Sequence, residues 1–249
     1  MLMIEAAGKR VLYTGDFRNH GRKAALVERM MASPPRDVDV LLMEGTNLGS
    51  DKPTKTESDL EDDFVALFKD TPGRVFTCWS AQNIDRTVTL YRAARKSGRT
   101  LVVDLYTAEV LELLGRKDFV ERMAANGISA AALAQNPSKW VVMIRPSLIR
   151  DFASKGVAPT EADAWSYSQW RGYLEQPDGV ALKAWFDGGG ARPVHLHTSG
   201  HASTADLKEF AAAISAKALV PIHGVAWDTD REGFENVVRL TDGEPLVIT

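Results

Sequence analysis

The chain has 249 residues, 45% of them hydrophobic and 25% charged, and its 30 basic against 33 acidic residues leave a net charge of −3. That length allows one large domain or two modest ones, each able to bury a core. Nothing resembles a run of about 18 uncharged apolar residues, so no membrane span is expected. Met1–Gly8 lacks the basic and apolar regions of a signal peptide, and the single cysteine, Cys78, excludes an intramolecular disulfide or a cysteine-rich zinc cluster. A cytoplasmic location is the expectation, and any nucleic-acid binding must come from a local groove, because no general positive field exists.

Taken in chain order, Leu2–Ile4, a turn at Ala7-Gly8-Lys9 and Arg10–Tyr13 read as a hairpin. Val38–Met43 reads as a buried strand. Asn47–Thr56 is polar and holds Gly49 and Pro53, which suits a domain crossover. Ser58 and Glu61 form a capping-box pattern ahead of Leu60, Phe64, Leu67 and Phe68. Val75–Cys78 is the next strand, followed by a helix with Ile84, Val88 and Tyr91 inward that stops near Gly98. Thr100–Asp104 and Trp140–Ile144 read as further strands. The glycine-rich stretch Asp187–Pro193 is a second break, and no helix pattern follows it, so it is not a dinucleotide-binding loop. A strand at Val194–His197, a helix opened by Ser203 with Asp206, and a strand at Ala218–Ile222 complete the chain. Such alternation predicts an α/β fold with mainly parallel sheets. The two breaks place an inserted domain at 47–191 within a discontinuous domain of 1–46 and 192–249.

Four predicted strands run into a polar group beside glycine: Thr14-Gly15-Asp16, Glu44-Gly45-Thr46, Thr198-Ser199-Gly200-His201, and His223-Gly224. The carboxyl ends of strands are where side chains leave the core of an α/β fold and converge on a crevice. Each group alone has a structural explanation. Asp16 suits a turn, Glu44 a solvated strand end, His201 a helix start, and His223 a satisfied histidine under a glycine turn. Two carboxylates and two histidines placed alike point instead to a metal and acid–base site.

The segments Tyr13-Thr-Gly-Asp-Phe17, Glu44-Gly-Thr46, Ser199-Gly-His-Ala-Ser203 and Pro221-Ile-His-Gly224 resemble successive motifs of the metallo-β-lactamase superfamily, specifically its β-CASP branch of ribonuclease J-like RNA-processing hydrolases. Ser80-Ala-Gln-Asn-Ile-Asp-Arg86 and Tyr167-Ser-Gln-Trp-Arg-Gly-Tyr173 add weaker matches. The resemblance implies the later part of a metallo-β-lactamase αββα sandwich carrying an inserted β-CASP domain. It implies a phosphodiesterase acting on RNA with two zinc ions, of which Asp16 bridges both and His223 binds one. It assigns His201 the proton-donor role, with Glu44 orienting its ring. Ser80, Asn83 and Ser199 become candidate substrate or phosphate contacts.

The family's His-x-His-x-Asp-His segment and its next lone histidine, both upstream of Thr-Gly-Asp in relatives, have no counterpart here. His195 and His197 form His-x-His, but no Asp-His follows; His197 belongs to the strand supporting the Ser-Gly-His motif, and His195 is read as structural. Zinc takes three or four protein ligands, so two credible ones leave the dinuclear site incomplete. The chain is therefore expected to lack the amino-terminal half, by truncation, by separate supply or by loss, and uncovered sheet surface would favour association, including homo-oligomers. Alternative readings are a hydrolase of small esters or phosphoesters, or an inactive binding or assembly module. Arg92, Arg95, Lys96 and Arg99 share a helix face, read mainly as dipole complements and secondarily as a nucleic-acid strip. Trp165, Tyr167, Trp170 and Tyr173 are read mainly as packing and secondarily as base-stacking.

Overall fold

The computed structural model describes residues 1–50, 54–115, 128, 130–230 and 232–248. The chain forms two compact units, one from 1–54 with 199–249 and the other Lys55–Thr198. Asp51–Pro53, inside the polar stretch read as a crossover, lie outside the described residues. Among the described residues, no helix is long and apolar enough to cross a membrane.

The first unit opens on the expected hairpin, β1 (Leu2–Ala6) against β2 (Lys9–Tyr13), with Leu2 opposite Tyr13 and Ala6 opposite Lys9. Ala7 and Gly8 both have positive φ, 49° and 75°, the left-handed pair that matches a two-residue turn to strand twist. Helix α1 (Ala24–Ala32) then carries the chain back, so that β3 (Val40–Met43) lies parallel to β2. The final strand of this sheet, β9 (Ala218–Pro221), pairs parallel to the other side of β3, which gives the order β1-β2-β3-β9. β3 is therefore central, buried between β2 and β9, and its apolar run ends directly at Glu44. Phe17, Val38, Leu41, Met43, Phe210 and Trp227 are among the residues that close the core.

The second unit is a five-stranded parallel sheet, β5-β6-β4-β7-β8. Its elements are α2 (Glu57–Asp70), β4 (Val75–Cys78), α3 (Ile84–Lys96), β5 (Thr100–Val102), α4 (Leu105–Leu113), α5 (Ala130–Ala134), β6 (Trp140–Met143), α6 (Ile149–Ser154), β7 (Ala164–Tyr167), α7 (Pro177–Gly188) and β8 (Arg192–Val194). Leu60, Phe64, Phe68 and Leu90 cover one face, and Trp165, Leu182 and Phe186 the other. Burial on both faces explains why these strands read as continuous apolar runs. The α/β class expected from the sequence is the one observed.

Several local expectations are corrected. The capping box of α2 is Thr56 with Asp59, because the Thr56 hydroxyl accepts the Asp59 N–H while the Asp59 carboxylate accepts the Thr56 N–H. Glu61 is thereby released to pair with Lys96 at 2.8 Å. Asp104 leaves the strand and caps α4 by accepting the Thr107 N–H. The strand expected at Val194–His197 ends at Val194, since pairing with β7 stops at Ser166. Beyond it the Ser168 hydroxyl holds the Leu196 carbonyl at 2.5 Å. The glycine run after α7 turns the chain into β8 within the second unit, and the chain leaves that unit after Thr198.

The basic face of α3 is smaller than the sequence pattern suggests, with Arg92 and Arg95 left exposed. Arg99 is buried and donates to the backbone carbonyls of Gly73 and Thr71, and Lys96 is engaged by Glu61. Trp165 and Tyr167 are core residues, Trp165 stacking on Phe186 at 4.6 Å, whereas Trp170 and Tyr173 are exposed in a T-shaped pair.

A buried ion pair anchors this unit. Arg86 and Glu57 are 0% and 1% exposed and meet at 3.0 Å. His197 lies in the electrostatic range of that arginine, and burial, Arg86 and His195 push its imidazole down to about 4. The folded protein therefore resists a proton that the unfolded chain accepts near the ordinary value of about 6.5. This stability is complete above pH 6.5 and is lost as pH falls toward 4. Thermal melts of the wild type and of His197→Gln at pH 7.5 and 5 test it: the wild type is expected to lose more. Parallel losses in both would sink the assignment.

Candidate active site

Glu44 is the centre of the candidate site. It emerges from β3 fully buried, and a carboxylate there needs every lone pair engaged. Its Oε1 accepts the N–H of Phe17 at 3.0 Å and of Ala202 at 3.5 Å, while Oε2 meets His201 Nδ1 at 2.8 Å. Thr14, also buried, supports the same residue by accepting the Glu44 N–H at 3.3 Å on its hydroxyl. Burial alone would raise the Glu44 pKa, but the bonds from His201, Phe17 and Thr46 hold it below the usual carboxylate value. Donating to Glu44 in turn raises the His201 imidazole above its ordinary value, against the opposing effect of burial. Glu44 thus engages Nδ1 and leaves Nε2 as the second nitrogen of a ring that is 29% exposed.

Asp16 and His223 stand beside this pair. His223 Nδ1 lies 3.0 Å from Asp16 Oδ1, and the two side chains are 54% and 50% exposed. Asp16, Glu44 and His201 offer metal-ligating atoms within 4.8 Å of one another. The four residues singled out at strand ends, more than two hundred positions apart, therefore share one region of the first unit. Asp16, Glu44 and His223 do so because β2, β3 and β9 are parallel and adjacent, so their carboxyl ends lie at the same edge, and His201 is brought there by the irregular turn before the helix Thr204–Ile214 through its bond to Glu44.

The glycines beside these residues have a packing reason. A Cβ on Gly45 would sit 2.2 Å from Trp227 Nε1, and one on Gly224 would sit 2.2 Å from the Gly45 carbonyl oxygen. The ends of β3 and β9 thus approach closely over the buried Trp227 ring, whose indole N–H donates to the His223 carbonyl at 2.7 Å. Sequence reasoning missed Trp227, since a lone tryptophan in a polar tail carries no local signal. It also missed Asn47, whose Nδ2 donates to Ser199 Oγ, His201 O and Ala202 O at 2.9, 3.0 and 3.1 Å.

Ser199 lies in this region, and its hydroxyl accepts from Asn47 and from the His201 N–H at 3.1 Å. Ser80 and Asn83 belong to the second unit, where Asn83 caps α3 by accepting the Arg86 N–H and Ser80 Oγ accepts from Gln82 N–H. His195 and His197 also belong to that unit, their rings 5.9 Å apart.

As metal donors, the residues fit in kind and fall short in number. Asp16 and His223 are exposed, adjacent and of the right chemistry. Glu44 is not available, because both its oxygens are taken within the fold. With His201 Nδ1 engaged by Glu44, the two remaining donors are fewer than the three or four a stable zinc site uses.

No family model matches the chain. It is similar to curated ribonuclease J proteins from Helicobacter pylori: 23% identical over 253 aligned positions to that of strain B128, and 22% identical to that of strain ATCC 700392 / 26695. In each case the match covers 90% of this chain and 35% of the relative, so the chain spans about a third of their length. A crystal structure of a protein of unknown function from Enterococcus faecalis V583 superposes with a TM-score of 0.68 at 21% identity, covering 96% of this chain and 58% of that one. That likeness supports the α/β fold, and the sequence similarity supports a distant relationship to ribonuclease J.

Proposed function

We propose that this chain is part of a metal-dependent phosphodiesterase of the metallo-β-lactamase superfamily, β-CASP branch, acting on RNA. The observation that carries the reading is the pair of buried Glu44 and half-buried His201 set beside Asp16 and His223 at the carboxyl ends of the parallel strands β2, β3 and β9. The distant similarity to ribonuclease J supplies the substrate class. Under this reading the second unit is the inserted β-CASP domain, with Ser80 and Asn83 as contacts to RNA, and Ser199 assists at the phosphate.

Each residue has a task matched to its surroundings. Glu44 holds His201 in one tautomer and stabilises the charged ring, which favours the protonated imidazole a proton donor needs. As the oxygen of a water forms its bond to phosphorus and the ester P–O bond breaks, His201 hands that proton from Nε2 to the departing oxygen. Asp16 and His223 would hold a cation, zinc in this reading, with further donors from outside these residues. A bound cation supplies Lewis acidity at the phosphoryl group.

The ligand arithmetic makes a test of the chain as it stands. After dialysis it is expected to retain less than one zinc per molecule and to show no chelator-sensitive cleavage of labelled single-stranded RNA. Adding a polypeptide that carries His-x-His-x-Asp-His is expected to raise both. Two retained zinc ions with chelator-sensitive cleavage in the isolated chain would show that ligands beyond Asp16 and His223 are at work, with His195 and His197 the first to substitute.

A further inference from the structure

The turn that presents His201, Ser199–Ala202, lies outside regular structure. At its middle is Gly200, which is exposed and would meet nothing within 4 Å if it carried a Cβ. Glycine has the greatest backbone freedom of any residue, so such a turn holds its shape only if other groups impose it. One clamp is the Asn47 amide described above. A second comes from the segment just after Asp16. The buried ring of His20 places Nε2 2.7 Å from the Ser199 carbonyl oxygen, and Arg18 Nη1 donates to the same oxygen at 3.1 Å. A carbonyl has two lone pairs, and these two donors use both.

The arrangement links the whole site through five consecutive residues. Asp16 enters the site, the Phe17 N–H holds Glu44, and Arg18 and His20 hold the turn that carries His201. Glu44 grips His201 through one ring nitrogen, which sets the tautomer but leaves the backbone to be set by other groups. We propose that His20, assisted by Arg18, is a positioning residue: it fixes the Ser199 peptide and thereby aims the His201 imidazole, acting through the turn and not on substrate. The claim about the orientation of His201 stands on geometry, and its catalytic consequence rests on the function proposed above.

The test uses the metal-free chain and needs no activity. A hydrogen-bonded Nδ1–H of His201 is expected as a low-field proton resonance, assigned by its loss in His201→Ala. In His20→Ala this resonance is expected to broaden or shift toward the solvent-exchanging position. In His20→Gln, whose side-chain amide can still donate to the Ser199 carbonyl, it is expected to return. Arg18→Gln provides a milder perturbation should His20→Ala fail to fold, and it is expected to broaden the signal partially. A sharp, unshifted resonance in a folded His20→Ala, or in Arg18→Gln where His20→Ala does not fold, would overturn the proposal. In whatever zinc-loaded form cleaves RNA, His20→Ala is expected to lower kcat by up to about 100-fold with KM little changed, the cost of a misplaced group. An equal rise in KM would refute positioning as the cause. If no form cleaves RNA while the resonance responds as expected, the proposed function fails and the structural coupling survives.

Discussion

Replacing Arg86 with methionine is expected to destabilise the second unit by about 3–5 kcal/mol, the typical result of leaving one member of a buried ion pair alone. Arg86 is fully buried, and its guanidinium meets both Glu57 oxygens, Nε to Oε2 at 3.2 Å and Nη2 to Oε1 at 3.0 Å. The third nitrogen donates to the carbonyl and hydroxyl of Ser168, and Thr89 donates to Glu57 at 2.6 Å. Removing the cation strands an ionised carboxylate in a dry site and frees the Ser168 segment. At roughly 2–4 °C per kcal/mol for a chain of this size, the melting temperature is expected to drop by about 6–20 °C. A double variant, Glu57→Leu with Arg86→Met, removes both charges and is expected to recover most of the loss, because desolvation then costs nothing. A single-variant loss below about 1 kcal/mol would show that the pair is hydrated or that Glu57 takes up a proton instead.

Under the proposed function, replacing His201 with alanine in the chain complemented by a His-x-His-x-Asp-His polypeptide is expected to lower RNA turnover by a factor on the order of 10² to 10⁴, the usual contribution of a positioned proton donor. Metal content is expected to be unchanged. Glu44 occupies Nδ1 at 2.8 Å, while Asp16 and His223 sit together on the exposed side as the donors suited to a cation. Elemental analysis beside a cleavage assay separates the two roles. Zinc and activity falling together would make His201 a ligand and remove it from proton transfer.

The sequence by itself determined the α/β class and the opening hairpin and pointed to Asp16, Glu44, His201 and His223 as a candidate site, because each has a local cause. Ala7-Gly8 sets a two-residue turn, Ser203 with Asp206 caps a helix, and a polar residue beside glycine at a strand end marks a crevice. Tertiary structure alone decided how those ends meet, which depends on β2, β3 and β9 being neighbours across an excursion of over one hundred and fifty residues in which the whole second unit lies. It also decided which groups are buried. Arg99, read from the sequence as part of a basic helix face, and Arg86 each fill a polar demand inside the fold, carbonyls in one case and a carboxylate in the other. His20, Asn47 and Trp227 were illegible for the same reason. Their partners are the Ser199, His201 and His223 carbonyls, and a hydrogen bond to a distant backbone atom leaves no pattern in the sequence of either segment.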